Sequence, residues 1–107
     1  MNLKPEYDEE SDSLYFKVSS KHVYSTIEIS PRLGLDVSSD RKVVGVEMLD
    51  ASRAISDLFQ KTVSREKVKK LLCEIRQEDA LYLDMRLEGR RASLALPQPY
   101  ESPVLRG

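Results

Sequence analysis

Three carboxylates near the start of the chain have the spacing with which calcium-binding loops begin. Asp8, Glu10 and Asp12 occupy positions i, i+2 and i+4, and oxygen ligands alternating in this way can hold a divalent cation. The rest of such a loop is missing, since Ser13 stands where its glycine is required and Ser19 where its bidentate glutamate is required. The favoured interpretation is a polar turn in which the Asp side chains bind backbone amides.

Four further carboxylates lie on or beside predicted strands: Glu28, Asp36, Glu47 and Asp50. If the strands bring them together, they suit acid–base chemistry or the binding of a cation. The favoured alternative is that they line a polar face or pair with neighbouring Lys and Arg side chains. The sequence therefore predicts no catalytic residue, no bound metal and no cofactor, and these seven carboxylates are the candidates for a ligand or cation site.

The single histidine and the single cysteine do not complete a known catalytic or zinc-binding set. His22 follows Lys21 in a predicted turn, and no serine lies in a nucleophile-elbow pattern. Cys73 lies near Lys70 and Arg76, and such cations lower the pKa of a thiol and make it reactive. The favoured interpretation is an ordinary exposed thiol.

Charge and hydropathy restrict the partners and the location of the chain. The net charge is −1, so no global basic field attracts nucleic acid. Residues 1–52 carry 6 Lys/Arg and 10 Asp/Glu, and residues 53–107 carry 11 and 8, which favours mutual attraction within one fold. A basic flank (Lys67, Lys69, Lys70 and Arg76, with Arg90–Arg91) is interspersed with acidic residues, as on a solvated surface.

The absence of an apolar leader or span predicts a cytoplasmic protein without membrane association.

Hydrophobic periodicity predicts an α+β fold in a single domain spanning residues 1–107. Residues 14–18, 23–29, 33–37 and 42–49 alternate as strands, and their short connections indicate a four-stranded antiparallel meander with the fourth strand central. Asp50 is predicted to cap a helix over residues 51–59, and Ser64 a second helix with the stripe Val68, Leu71, Leu72 and Ile75.

The remaining residues predict a C-terminal hairpin and a tail. Residues 81–88 alternate strictly, Gly89 supplies the turn, and residues 92–96 form the return strand. Residues 97–107 contain three prolines and are expected to be extended. The predicted core consists of side chains that lie on the apolar side of their elements: Phe16, Ile27, Leu35, Val44, Val46, Leu72, Leu83 and Leu94.

The N-terminal half resembles the small proteins grouped as domain of unknown function 2283. The matching pieces are Tyr7–Tyr15, Ser25–Glu28, Leu35–Asp36 and Val43–Ser52, in which Val46 replaces the family's isoleucine and Met48 a second aliphatic residue. The resemblance covers residues 6–52. It implies a compact β-rich unit, and it carries no catalytic residue onto this sequence.

The function predicted from these features is a non-enzymatic protein-interaction module. It is expected to act as a homodimer or as half of a two-protein system, with the strands at 81–87 and 92–96 as the expected contact. The alternative is a small-ligand or divalent-cation-binding protein, or a weak enzyme, that uses the seven acidic positions of the N-terminal half.

Overall fold

The computed structural model describes residues 2–97 and places nine strands and two helices in them. The strands are β1 (Asn2–Leu3), β2 (Glu6–Asp8), β3 (Ser13–Lys17), β4 (Ser25–Ser30), β5 (Leu33–Val37), β6 (Val43–Met48), β7 (Leu72–Gln77), β8 (Leu81–Leu87) and β9 (Arg90–Leu96). The helices are α1 (Ala51–Phe59) and α2 (Arg65–Val68). The α+β class predicted from the sequence is confirmed.

Strands β2 to β6 form one antiparallel sheet in the order β2-β3-β6-β5-β4. Strand β6 is central, as predicted, because it carries apolar side chains on both faces. The simple meander is wrong: β3 lies against the far side of β6, with Phe16 opposite Val46, and it does not contact β4. Alternation indicates that a strand is buried on both faces, but it does not determine which strand pairs on each of its edges. Strand β2 was not predicted, since it is short and polar.

The three C-terminal strands and the N-terminal β1 form a second antiparallel sheet in the order β1-β7-β8-β9, in which Leu3 pairs with Cys73. The predicted hairpin is confirmed as β8 and β9, which pair in register from Leu81–Leu96 to Leu87–Arg90. Glu88 and Gly89 form its two-residue turn with φ values of 51° and 76°, the left-handed conformation that such hairpin turns need at both positions.

The second helix is much shorter than predicted, because residues 72–77 form strand β7 instead. Ser64 caps α2 as predicted, accepting a hydrogen bond from the Lys67 backbone N–H at 3.3 Å. The helix then ends at Val68. In β7, Cys73 pairs with Met85 and Ile75 with Leu83, so Cys73 is buried and Leu72 is 40% exposed. The predictions of a buried Leu72 and an exposed Cys73 were both wrong.

A single cluster of buried side chains contains residues from both sheets and both helices. Of the predicted core, Phe16, Leu35, Val44, Val46 and Leu83 are buried, while Ile27 and Leu94 are half-buried. Helix α1 has the predicted bounds and buries Ile55 and Phe59 against this cluster.

The predicted tail lies outside the described residues, apart from Pro97. In the part that is described, neither helix has the length and apolar character needed to cross a membrane.

Candidate functional site

The three carboxylates of the acidic opening do not converge. The Asp8 Oδ1 accepts hydrogen bonds from the backbone N–H groups of Glu10 at 3.0 Å and Ser11 at 3.4 Å. Glu10 is exposed, whereas Asp12 is buried. Asp8 is thus the acceptor of a polar turn, and across residues 2–97 no group of three His, Cys, Asp or Glu side chains could hold a metal ion.

Asp12 caps helix α1 from a distant part of the chain. Its Oδ1 accepts from the Ser52 backbone N–H at 3.0 Å and its Oδ2 from the Ser52 hydroxyl at 2.7 Å, while the Tyr7 hydroxyl donates to Oδ1 at 2.6 Å. The predicted cap, Asp50, has a left-handed φ of 52° and makes no capping hydrogen bond through its side chain. Instead its carboxylate forms an ion pair with Arg32 at 3.4 Å. Asp50 therefore occupies the predicted N-cap position, but the side chain that caps the helix is that of Asp12.

Two other candidates, Asp36 and Glu47, lie on the outer face of the five-stranded sheet on either side of Tyr15. The Tyr15 ring covers Gly45, where a side chain on that glycine would collide with it. Its hydroxyl donates to Asp36 at 3.0 Å, and Thr26 donates to the other Asp36 oxygen at 2.7 Å. Burial, the bond to Asp36 and the nearby carboxylates raise the pKa of Tyr15 to about 12, so it stays a hydrogen-bond donor.

An open groove of about 230 Å³ beside Tyr15 is lined by Glu6, Asp8 and Glu47. The face therefore attracts cations without presenting a group of converging ligands. Glu28, the remaining candidate, is exposed on β4 opposite Gly34. Of the seven candidates, Asp8, Glu28, Asp36 and Glu47 share the outer face of this sheet, with Glu28 in the same row as Glu47 and Tyr15, and Glu10, Asp12 and Asp50 lie elsewhere.

Cys73 lacks the properties of a reactive thiol. It is 1% exposed, and burial together with the negative charges of Asp84 and Glu74 raises its pKa to about 12. The neighbouring cations Lys70 and Arg76 do not offset this. The sequence prediction of an exposed thiol fails because a strand, unlike a helix, turns Cys73 to the same face as Leu71 and Ile75.

The exposed apolar surface of the described chain concentrates at strand β4, which the sequence did not single out. Val23 is 50% exposed, Tyr24 75% and Ile29 38%. Alternation predicted Val23, Ile27 and Ile29 on one side, but the pairing with β5 skips Ile29 between Glu28–Gly34 and Ser30–Leu33. Strand β4 is also an edge strand, a position that its local pattern does not reveal.

The expected dimer contact at residues 81–87 does not expose large apolar side chains, in contrast to the region of β4. Strand β8 lies between β7 and β9, and its apolar side chains Leu81, Leu83, Met85 and Leu87 are buried within the chain. Strand β9, the other expected contact, is an edge strand among the described residues.

Comparison with known proteins agrees with the sequence resemblance. Residues 4–52 match the model of a family described as protein of unknown function (DUF2283). The matched segment contains β2 to β6, the whole five-stranded sheet, and ends within the first turn of α1. No curated protein and no solved structure matches the chain.

Proposed function

We propose that the protein is a non-enzymatic protein-interaction module that forms a homodimer by pairing β4 with β4 of a second copy. The observation that supports this proposal is the exposed edge of β4. Within residues 2–97 this strand pairs with β5 alone. Tyr24, directly before it, is 75% exposed, and its backbone N–H donates to the Val37 carbonyl of β5. A free strand edge offers N–H and C=O groups that another strand can satisfy.

Part of this edge lacks the features that normally prevent pairing. Natural edge strands are protected by charged side chains, prolines and bulges. Here the bulge at Ile29 and the following Pro31 lie at one end of the strand. Residues 23–27 carry no charged side chain, so this segment is the part of the edge that is open to a second strand.

The segment is also self-complementary about a two-fold axis through Ser25. Antiparallel pairing in this register sets Val23 opposite Ile27 of the partner subunit and Tyr24 opposite Thr26 of the partner subunit. It sets Glu28 opposite His22 of the partner subunit, so that two carboxylates are not opposed. Apolar cross-strand pairs stabilise a sheet, and an interface that repeats one patch on both copies is the commonest form of homodimer.

Sedimentation equilibrium of the full chain at tens of micromolar tests the proposal. We expect a mass twice the 12.2 kDa of one chain. The double variant Val23→Lys, Tyr24→Ser should sediment as a monomer, because a lysine on the edge opposes strand pairing. The control Leu72→Ser removes an apolar side chain that is 40% exposed on the other sheet, and it should leave the dimer intact.

Two results would contradict this. A wild-type mass of 12.2 kDa at every soluble concentration overturns the homodimer. A dimer that survives in the double variant and dissociates in Leu72→Ser places the interface on the four-stranded sheet instead of β4.

A further inference from the structure

The outer face of the four-stranded sheet holds two guanidinium groups directly opposite each other. Arg86 of β8 pairs in register with Arg91 of β9, and both side chains are exposed. Like charges in directly opposed positions destabilise a sheet. Neither arginine forms an ion pair with any carboxylate in residues 2–97. The folded chain thus carries a repulsion that its described part does not offset.

The nearest carboxylates, Asp84 and Glu74, line a second groove together with Arg86 and Arg91, but neither of them forms an ion pair with these two arginines. Asp84, in the next row of the sheet, binds Arg76 at 2.6 Å and accepts from Ser93 at 2.6 Å. Glu74 lies opposite Asp84, and it makes no ion pair with Arg86 or Arg91. An anion from outside the described chain could therefore neutralise the positive charge of the two guanidinium groups.

The arginine pair borders a groove of about 360 Å³ that is strongly basic. Lys70 and Arg90 also line it, and Leu72 contributes an exposed apolar wall. Glu88, the carboxylate in this lining, is paired with Lys61 at 3.2 Å and Lys67 at 3.6 Å. The groove therefore presents four cations and an apolar contact at the hairpin end of the sheet.

We propose that this groove binds an extended acidic segment of a partner protein. Guanidinium groups bind carboxylates through two parallel hydrogen bonds, and one carboxylate between Arg86 and Arg91 offsets their repulsion. Leu72 lies in the same row of the sheet as the two arginines, so it suits an apolar side chain next to the acidic residues of the segment.

A nucleic acid strand fits these features less well. Single strands are bound largely by bases stacking on aromatic side chains, and the groove lining contains none. This groove lies on the four-stranded sheet, whereas the proposed homodimer forms through β4 of the five-stranded sheet. The two proposals are therefore independent, and either can fail alone.

Fluorescence anisotropy with the full chain and a labelled Glu-Leu-Glu-Leu-Glu-Leu peptide tests the groove. We expect saturable binding that weakens with added salt, and no binding of the matched Gln-Leu-Gln-Leu-Gln-Leu peptide. Arg86→Gln and Arg91→Gln should each lower the affinity about tenfold, because each removes a charge-assisted hydrogen bond. Arg53→Gln, which changes an exposed arginine of α1, should leave the affinity unchanged.

A second measurement separates a binding role from a structural one. Without peptide, Arg91→Gln should unfold at the same or a higher temperature than the wild type, since it relieves repulsion. Equal binding of the two peptides, no binding of the acidic peptide, or full affinity in both arginine variants overturns the proposal. Tighter binding of a short oligothymidylate that is lost in the same two variants assigns the groove to nucleic acid instead.

Discussion

Asp12 is a single residue that joins the two ends of the family-matched segment. It lies between β2 and β3, yet its carboxylate binds Ser52 in the first turn of α1 and the hydroxyl of Tyr7. Burial raises the pKa of Asp12, but the hydrogen bonds from Tyr7 and Ser52 and the charge of Arg65 outweigh it, so the net shift is downward. The sequence placed Asp12 among calcium ligands, because a carboxylate that caps a helix 40 residues away has no local signature.

The variant Asp12→Asn is expected to lower the free energy of unfolding by about 1–3 kcal/mol at neutral pH, because a buried, charge-assisted acceptor is lost. A carboxyl group whose pKa is lowered in the folded state stabilises it above the unfolded pKa, and that contribution disappears as the pH falls through the folded pKa. The wild type and the variant should therefore converge in acid, below about pH 4. Urea unfolding at several pH values measures this, with Asp57→Asn, an exposed carboxylate of α1, as a control that changes little. A difference that stays constant with pH would contradict this role.

At the scale of elements, the sequence predicted best where one local pattern had one interpretation. Strand β8 alternates without exception, and α1 begins and ends at the predicted residues. Residues 68–75 allowed two interpretations, because Val68, Leu71, Leu72 and Ile75 fit a helical stripe while Leu71, Cys73 and Ile75 fit a strand. Pairing of β7 with β8 decided between them, and that contact lies outside any local window. The edge position of β4 also depends on pairing between distant strands, so it could not be predicted from the local sequence. The apolar surface proposed as an interface could not be predicted for the same reason.

Truncation of two leucines distinguishes the strand from the predicted helix. Leu83 of β8 is fully buried and Leu72 of β7 is 40% exposed. Leu83→Ala should cost about 2–5 kcal/mol of stability, because it leaves a cavity, whereas Leu72→Ala should cost about 1 kcal/mol, because much of its side chain is already in water. Chemical denaturation of both variants measures the two values. Equal losses would support the helical stripe and contradict the pairing of β7.

At the scale of the whole molecule, the acidic and basic halves of the chain contact each other at a few defined places. Lys69 pairs with Glu9 at 2.6 Å and Arg65 lies 3.8 Å from Asp12. These exposed cations are worth little individually. The larger connection is apolar, since the cluster of buried side chains draws on both sheets and on α1. Mutual attraction of the halves is therefore a minor part of what holds them together.

The shared cluster predicts that the family-matched segment does not fold alone in this protein. Its sheet carries five large side chains that are at most 2% exposed in the full chain: Leu14, Phe16, Leu35, Val46 and Met48. A fragment of residues 1–52 loses most of α1 and three of the four strands of the second sheet, β7, β8 and β9, which cover them. It also loses most of the helix that Asp12 caps. Since one apolar sheet face needs a second layer to bury it, we expect the fragment to show no cooperative urea transition by circular dichroism. The full chain should show a single one. A monomeric fragment with a cooperative transition of its own would contradict the single-domain prediction and divide the chain after the first sheet.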